Sequence, residues 1–217
     1  MIDLHVHSSL STGEQTPASA MRFAKAAGYR AIAFTDHVDA TNMQQVLESL
    51  LPMIRTYSLY SGIDLYAGVE LTHVPPQLLP DTIAEARAMG AQLVTVHGQT
   101  IADIVDEGTN LAAIEGGADI LTHPGLVTEQ EAVLAAEKNV YLEITARAEH
   151  ALTNGHVAKV AALTGAPLVF NNGGYRGYDF INKDRRRAIA LGCGMSKEQY
   201  QITENNSRAI VSRMMML

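Results

Sequence analysis

The feature that most constrains this chain is a repeated order of elements: a helical run, a glycine or asparagine, a short apolar stretch and then a polar residue. The glycine or asparagine stands at positions 28, 62, 90, 117, 139 and 165. Both residue types tolerate the left-handed conformation that commonly ends a helix. The apolar stretches that follow are typical of strands buried on both faces. With a further strand near the N-terminus, the pattern predicts seven parallel strands, each followed by a helix.

The predicted helices cover 18–27, 42–60, 78–89, 110–116, 129–138, 155–164 and 184–191, with a helical tail over about 196–213. Such regular alternation permits an open doubly wound sheet or a closed barrel. The first strand is not followed by a glycine-rich phosphate fingerprint, which weakens the doubly wound interpretation. The sequence shows no linker, charge block or low-complexity tract, so we expect one domain over 1–217.

The first strand carries two histidines two positions apart. In Asp3-Leu4-His5-Val6-His7-Ser8, apolar and polar residues alternate as they do in a strand. Residues two apart point to the same face, so His5 and His7 are expected to lie close enough to share one metal ion. Taken alone, the pair is equally consistent with a polar strand face.

Further residues of ligand type stand at the ends of the other predicted strands. In a β/α barrel these ends form one rim, where active sites lie. Imidazole and carboxylate groups suit zinc, manganese or iron, and the number of ligands suffices for two ions. Glu70 is central in strand order and could bridge two ions that produce a hydroxide for hydrolysis. The residues predicted at this rim are His5, His7, Asp36, His37, Glu70, His97, His123 and Glu143.

The motifs, taken in order, resemble those of the PHP superfamily, the polymerase and histidinol phosphatase metallohydrolases. Asp3–Ser8 resembles the DxHxHS opening of that family, and the resemblance covers essentially the whole chain. It implies a distorted (β/α)7 barrel, similar to a TIM barrel, with phosphoester hydrolysis at a two- or three-metal centre on the C-terminal rim of the strands. The later motifs that match are Thr35-Asp36-His37, Gly68-Val69-Glu70, His97 and Thr122-His123-Pro124-Gly125.

The resemblance also implies which residues hold which ion. One ion would be held by His5, His7 and Glu70, and a second by Glu70, His97 and His123. By the same resemblance, His37 would belong to a third ion.

The chain departs from the family pattern at three positions. Thr12 stands where the family usually has an acidic or histidine ligand, and Gly173 and Tyr175 stand where strand seven usually supplies Asp and His. These losses leave His37 with few partners, so we expect two tightly bound ions. The ion held by the first-strand histidines is expected to be the weaker one.

Several other residues near the rim are candidates for binding or chemistry. Arg147 and Arg176 follow strands six and seven and could clamp a phosphate, and His156 lies near a helix start that could face an anion. Glu143 either orients an imidazole or serves as a general base; it and Asp36 are the predicted catalytic residues. We interpret the basic run at 183–187 as a solvated helix face.

Composition limits the partners and the compartment. The net charge of −7 argues against a nucleic-acid partner, and no apolar run is long enough to span a bilayer. Cys193 is the only cysteine, and no secretory signal is visible, so we expect a cytoplasmic protein. The tail 214–217 is expected to pack on the body or on a neighbouring subunit, which leaves a homo-oligomer open.

We predict a metal-dependent phosphatase or phosphoesterase, similar to histidinol phosphatase. It would hydrolyse a small anionic phosphorylated metabolite by means of a metal-activated hydroxide. An amidohydrolase-type metallohydrolase is an alternative, although such enzymes commonly carry a lysine on strand four, and Gln92–Val96 has none. A catalytically degenerate metal- or ligand-binding protein is a second alternative, supported by the departures at 173 and 175.

Overall fold

The computed structural model describes residues 1–216; the last position of the predicted tail, Leu217, lies outside the described residues. Seven parallel strands form one sheet in sequence order. The prediction of seven parallel strands with alternating helices is confirmed. The strands are β1 (Ile2–Val6), β2 (Ala31–Val38), β3 (Asp64–Leu71), β4 (Leu93–His97), β5 (Ile120–Thr122), β6 (Tyr141–Thr145) and β7 (Leu168–Asn171).

Helices follow the strands, and left-handed residues end several of them as the sequence predicts. Gly62, Asn139 and Gly165 end α2, α5 and α6 with φ angles of 67°, 56° and 79°. No helix within residues 1–216 is long and apolar enough to cross a membrane. The helices are α1 (Pro17–Ala26), α2 (Met43–Ser61), α3 (Leu79–Ala88), α4 (Thr109–Glu115), α5 (Glu129–Lys138), α6 (Asn154–Thr164), α7 (Lys183–Gly192) and α8 (Lys197–Met214).

The sheet curls into a nearly closed barrel. The segment after β7 completes the closure: the His7 amide donates to the Gly174 carbonyl at 2.9 Å, and the Gly174 amide donates to the His5 carbonyl at 3.3 Å. The Leu4 amide also donates to the Asn171 side-chain oxygen at 2.9 Å. The architecture is therefore the distorted, TIM-like (β/α)7 barrel that the resemblance implies.

The interior of the barrel is apolar where the strands begin and polar where they end. Helix α8 contributes Ile210, Val211 and Met214 to the apolar cluster at the start of the strands, so it covers the lower end of the barrel. Met215 and Met216 are exposed, and the predicted packing of the tail on the body therefore reaches only to Met214. The strand residues of this cluster are Leu4, Ala31, Ala33, Tyr66, Leu93, Ile120, Tyr141 and Val169.

The basic run at 183–187 is not a uniformly solvated face, because Arg186 is fully buried. Its guanidinium donates to the carbonyl oxygens of Ile2 at 3.0 Å and Phe170 at 2.7 Å and pairs with Glu204 at 3.0 Å. A buried cation is tolerated when it is paired and hydrogen-bonded. Arg186 therefore holds β1, β7 and α8 together where the barrel closes.

Candidate metal centre

Six predicted ligands converge at the C-terminal end of the barrel. They reach the same place because the inward-facing residues of parallel strands end at one rim. Only the His37 side chain is partly accessible, at 19% of its surface; the others are buried. The converging residues are His5, His7, His37, Glu70, His97 and His123.

One oxygen of the Glu70 carboxylate faces three imidazoles. Glu70 Oε2 lies 3.2 Å from His5 Nε2, 3.5 Å from His7 Nε2 and 2.9 Å from His37 Nε2. The two β1 histidines converge as predicted, with their Nε2 atoms 3.1 Å apart. The structure also brings His37 to this oxygen, whereas the resemblance implies that His37 belongs to a separate third ion.

The other Glu70 oxygen faces the remaining two imidazoles. Glu70 Oε1 lies 3.6 Å from His97 Nδ1 and 3.8 Å from His123 Nε2, and these two nitrogens are 3.0 Å apart. The Thr122 hydroxyl donates to the same oxygen. Glu70 thus divides five histidines into a group of three and a group of two, one group on each oxygen.

Glu143 lies beneath both groups rather than in the solvent-accessible pocket. Its Oε1 is 2.7 Å from His5 Nδ1 and its Oε2 is 3.2 Å from His123 Nδ1. The Asn171 amide donates to Oε1 at 3.0 Å. A carboxylate that accepts from Nδ1 fixes the ring so that Nε2 faces the metal side. The structure therefore favours the imidazole-orienting role for Glu143 over that of a general base.

The protonation equilibria of His7, His123 and Glu70 fit a metal-binding role. His5 differs: burial alone would lower its pKa, but Glu143 and Glu70 hold the pKa of this imidazole well above its usual value. Burial lowers the pKa of His7 well below its usual value, and burial likewise lowers the pKa of His123. Burial alone would raise the pKa of Glu70, but His5 and His37 hold the pKa of that carboxyl well below its ordinary range. Two neutral imidazoles and an ionised carboxylate are the forms that bind a divalent cation.

A pocket of about 720 Å³ opens above these ligands and is called the rim pocket below. Tyr175 closes one side of it: its ring lies 4.3 Å from the His7 ring, and its hydroxyl is 3.2 Å from His37 Nε2. Thr12 Oγ1 lies 3.4 Å from His37 Nδ1. Two of the three departures from the family pattern therefore meet at His37. The rim pocket is lined by Leu10, Ser11, Thr12, His37, Val38, Asp39, Asn42, Thr72, His73, His97, Asp103, Arg147, His150 and Tyr175.

Asp103 and His150 of the rim pocket lie beside the ligands and are not among the site residues predicted from the sequence. Asp103 Oδ2 lies 3.5 Å from His97 Nε2 and 3.8 Å from His150 Nε2, and the His150 ring stacks on His123 at 4.0 Å. His150 Nδ1 is 2.7 Å from the Thr100 hydroxyl. Asp103 lies in the loop after β4 and His150 begins a short 3-10 helix after β6, so the strand-end pattern gave no signal for them.

Two predicted site residues, Asp36 and His156, form hydrogen bonds with other parts of the chain and do not line the rim pocket. Asp36 is buried and accepts hydrogen bonds from the Ser8 amide and hydroxyl and from the Ser11 hydroxyl at 2.6–2.8 Å. With its oxygens engaged in this way, Asp36 holds the loop after β1 rather than facing a substrate. His156 Nε2 lies 2.8 Å from the Val127 carbonyl and joins α6 to the loop before α5. Catalysis by Asp36 and substrate binding by His156 stay predictions, which these contacts do not favour.

The two predicted arginines take different positions. Arg147 lines the rim pocket, and its guanidinium carbon lies 3.9 Å above the centre of the Tyr175 ring. Its Nε is buried and has no hydrogen-bond partner within residues 1–216. Arg176 does not line the rim pocket; its Nε pairs with Glu14 at 2.6 Å on the surface. Of the two, only Arg147 is placed to meet a substrate above the histidines.

Replacing Gly173 by aspartate should strengthen metal binding at His5 and His7 by about 10-fold, since it adds a charged oxygen ligand. A Cβ at position 173 would lie 3.8 Å from His5 Cε1 and 3.3 Å from Thr145 Oγ1. The φ of +60° is strained for a side chain, so stability should fall. Gly173→Ala is the matched control, because it adds the same Cβ without a carboxylate. Equal metal affinity of the two variants in a zinc titration would contradict the prediction.

Buried histidine and glutamate ligands that converge on the rim of a β/α barrel define the class of metal-dependent hydrolases. Residues 3–156 match the sequence profile of the PHP domain family, and the chain belongs to this family. The resemblance noted in the sequence is confirmed.

Comparisons with other proteins agree with this assignment. An uncharacterized protein of Methanocaldococcus jannaschii is 35% identical over 203 residues, which cover 93% of each chain. A chain in the cryo-EM structure of archaeal ribonuclease P with mature tRNA has a TM-score of 0.74 at 17% identity, with 98% of this chain and 91% of that chain covered. Histidinol phosphate phosphatase of Lactococcus lactis has a TM-score of 0.61 at 15% identity, with 90% and 94% covered. At these identities the two solved structures show a shared fold.

Proposed function

We propose that this PHP protein is a phosphatase that hydrolyses a small phosphorylated metabolite and uses two divalent ions, zinc, manganese or iron, held at Glu70. The observation that carries the proposal is the division of the histidines between the two Glu70 oxygens. His5, His7 and His37 would hold one ion with Oε2, and His97 and His123 would hold the other with Oε1. When bound, such ions polarise a phosphoryl oxygen and lower the pKa of water.

The chain itself would bind and orient the substrate. Arg147 lines the rim pocket, its Nε has no hydrogen-bond partner within residues 1–216, and a planar guanidinium matches the geometry of a phosphate. Burial, together with the nearby Glu70 carboxylate, raises the pKa of Tyr175, so its hydroxyl stays protonated at neutral pH. Tyr175 could therefore donate a hydrogen bond to a phosphate oxygen above His37. The Lactococcus protein was crystallised with zinc, L-histidinol and phosphate, which is in keeping with a phosphorylated substrate here.

The test is a screen of phosphomonoesters with protein whose metal content has been measured. We expect hydrolysis that a chelator abolishes and that manganese or zinc restores. Anomalous scattering from crystals should show two occupied metal positions, one on each side of Glu70. If no phosphoester is hydrolysed while both positions are full, the protein is a metal- or ligand-binding relative instead. Three fully occupied positions would overturn the two-ion assignment.

Replacing Arg147 by glutamine should raise KM for a phosphomonoester by about 10-fold, because one charge-assisted hydrogen bond to the substrate is lost. The metal content should stay the same, because Arg147 does not lie among the ligands. Arg208→Gln is the matched control, since it removes the same charge from the exposed surface of α8. A crystal soaked in phosphate that places the anion away from Arg147 would argue against this role.

A further inference from the structure

A second cavity, of about 250 Å³, adjoins the rim pocket and is rich in arginine. Arg147 comes from the loop after β6, Arg176 from the loop after β7 and Arg185 from α7. We call it the arginine cavity. Three cations from three separate segments meet there in a chain whose net charge is −7. The arginine cavity is lined by Ala146, Arg147, Ala148, Glu149, Asn172, Gly173, Arg176, Tyr178, Asp179, Ile181 and Arg185.

Arg147 and Arg176 each lie near one carboxylate. In both cases the contacting guanidinium atom is Nε rather than a terminal nitrogen. Glu149 Oε2 is 3.6 Å from Arg147 Nε, and the Glu149 side chain is 66% exposed. Arg176 pairs through Nε with Glu14, which does not line the cavity. The Arg176–Glu14 pair is exposed, and such pairs are weak, while the 3.6 Å separation of Arg147 and Glu149 is too long for a hydrogen bond. The terminal nitrogens of both guanidinium groups therefore remain available to another anion.

Asp179, the second acidic group of the lining, is already engaged by hydrogen bonds, whereas Arg185, the third arginine, forms no ion pair within the described residues. Asp179 Oδ2 accepts hydrogen bonds from the backbone amides of Tyr175 and Arg176, both at 2.9 Å. Arg185 forms no ion pair in the described part of the chain, and it sits on the exposed side of α7. Arg185 is thus the one arginine of the lining that forms no ion pair within residues 1–216.

The arginine cavity and the metal centre share a wall. Arg147 lines both the cavity and the rim pocket. Gly173 lines the cavity as well, and a Cβ on this residue would lie 3.5 Å from Arg147 Cβ and 3.8 Å from His5 Cε1. At this position the PHP pattern usually has an aspartate, whose charge would repel an anion. With glycine, position 173 places neither a side chain nor a negative charge between His5 and Arg147.

We propose that the arginine cavity is a second anion subsite, which binds a phosphate or carboxylate group on the same substrate molecule whose phosphoester lies at Glu70. This inference rests on the proposed phosphatase function and narrows it to small substrates that carry two anionic groups. Arg147 would contact the substrate between the two groups, and Arg185 would bind the second group.

The test uses metal-loaded protein and does not require turnover. Isothermal titration calorimetry compares α,ω-alkanediphosphonates of increasing chain length with alkylphosphonates of equal length. We expect at least one diphosphonate to bind about 10-fold more tightly than its monophosphonate, as one charged hydrogen-bonding partner provides. Arg185→Gln should remove that advantage. Arg187→Gln should retain it, because Arg187 lies on the same helix, carries the same charge and does not line the cavity.

The outcomes separate this inference from the function on which it rests. The second subsite is overturned if no diphosphonate binds more tightly than the monophosphonate of equal length. It is also overturned if the Arg185→Gln variant retains the tighter binding. If phosphomonoesters with one anionic group and with two are hydrolysed at the same kcat/KM, the second subsite is overturned as well. The proposed phosphatase function then still stands. If the tighter binding of a diphosphonate depends on Arg185 but the metal-loaded protein hydrolyses no phosphoester, the second subsite is supported. The proposed phosphatase function is then overturned.

Discussion

Replacing Glu70 by alanine should remove both metal ions and lower kcat/KM for a phosphoester by about 1,000-fold or more, because the Lewis-acid contribution of the ions is worth several kcal/mol. The reason is the position of the carboxylate: one oxygen faces His5, His7 and His37, and the other faces His97 and His123. No single histidine serves both groups. Each single histidine replacement should therefore lower the metal content less than Glu70→Ala does.

The Glu70→Gln variant tests the bridging role of Glu70 more specifically. An amide has one oxygen that can bind a cation and one NH2 group that cannot. The glutamine variant should therefore lose one ion and retain the other, whereas the alanine variant loses both. Inductively coupled plasma mass spectrometry of the purified variants measures this directly. His156→Ala is a suitable control, because His156 contacts the Val127 carbonyl away from the centre. A Glu70→Ala protein with unchanged metal content would remove the bridging role.

Replacing Glu143 by glutamine should weaken the binding of one of the two proposed ions by about 10- to 100-fold, the range found when a partner of a metal-binding histidine is removed. The carboxylate accepts from Nδ1 of His5 and from Nδ1 of His123, and these two rings belong to different groups. A glutamine can accept at one oxygen only, and its NH2 group opposes the second Nδ1–H. One ring is then no longer held in the orientation that binds metal.

Two experiments distinguish an effect of Glu143→Gln on the orientation of the histidine rings from a general loss of stability. Nitrogen chemical shifts of His5 and His123 report whether Nδ1 carries the proton, and unfolding alone would not produce a native spectrum with altered tautomers. Glu149→Gln is the matched control, since Glu149 is an exposed carboxylate near the same rim. Unchanged metal affinity in Glu143→Gln would show that the contacts of this carboxylate with His5 and His123 do not support the ligands.

Much of the fold could be read from the sequence because local rules govern it. Positive-φ residues such as Gly62, Asn139 and Gly165 end helices by a rule that involves only their own backbone. Buried parallel strands require apolar residues on both faces. The parallel arrangement then brings the strand ends to one rim, so His5, His97 and their partners could be placed together without coordinates.

The same reasoning could not assign roles among the polar residues of that rim. Asp36 and Glu143 both stand at or near strand ends, yet Asp36 is engaged by serine groups and Glu143 lies beneath two histidines. Which carboxylate meets which partner depends on strand register and on the path of the loops. His37 shows the same limit, because its contact with Glu70 Oε2 follows from the β2–β3 pairing.

The sequence by itself determined the number and order of the strands, the family of the protein and the histidines that lie with Glu70 at the rim. These depend on periodicity, on turn residues and on motifs that are local in the chain. Only the tertiary structure decided that Glu70 divides the histidines, that Asp103 joins the rim pocket and that Arg186 is buried while Arg185 lines a cavity. Each of these depends on contacts between residues distant in sequence, and the packing of loops and helices around the closed barrel sets those contacts.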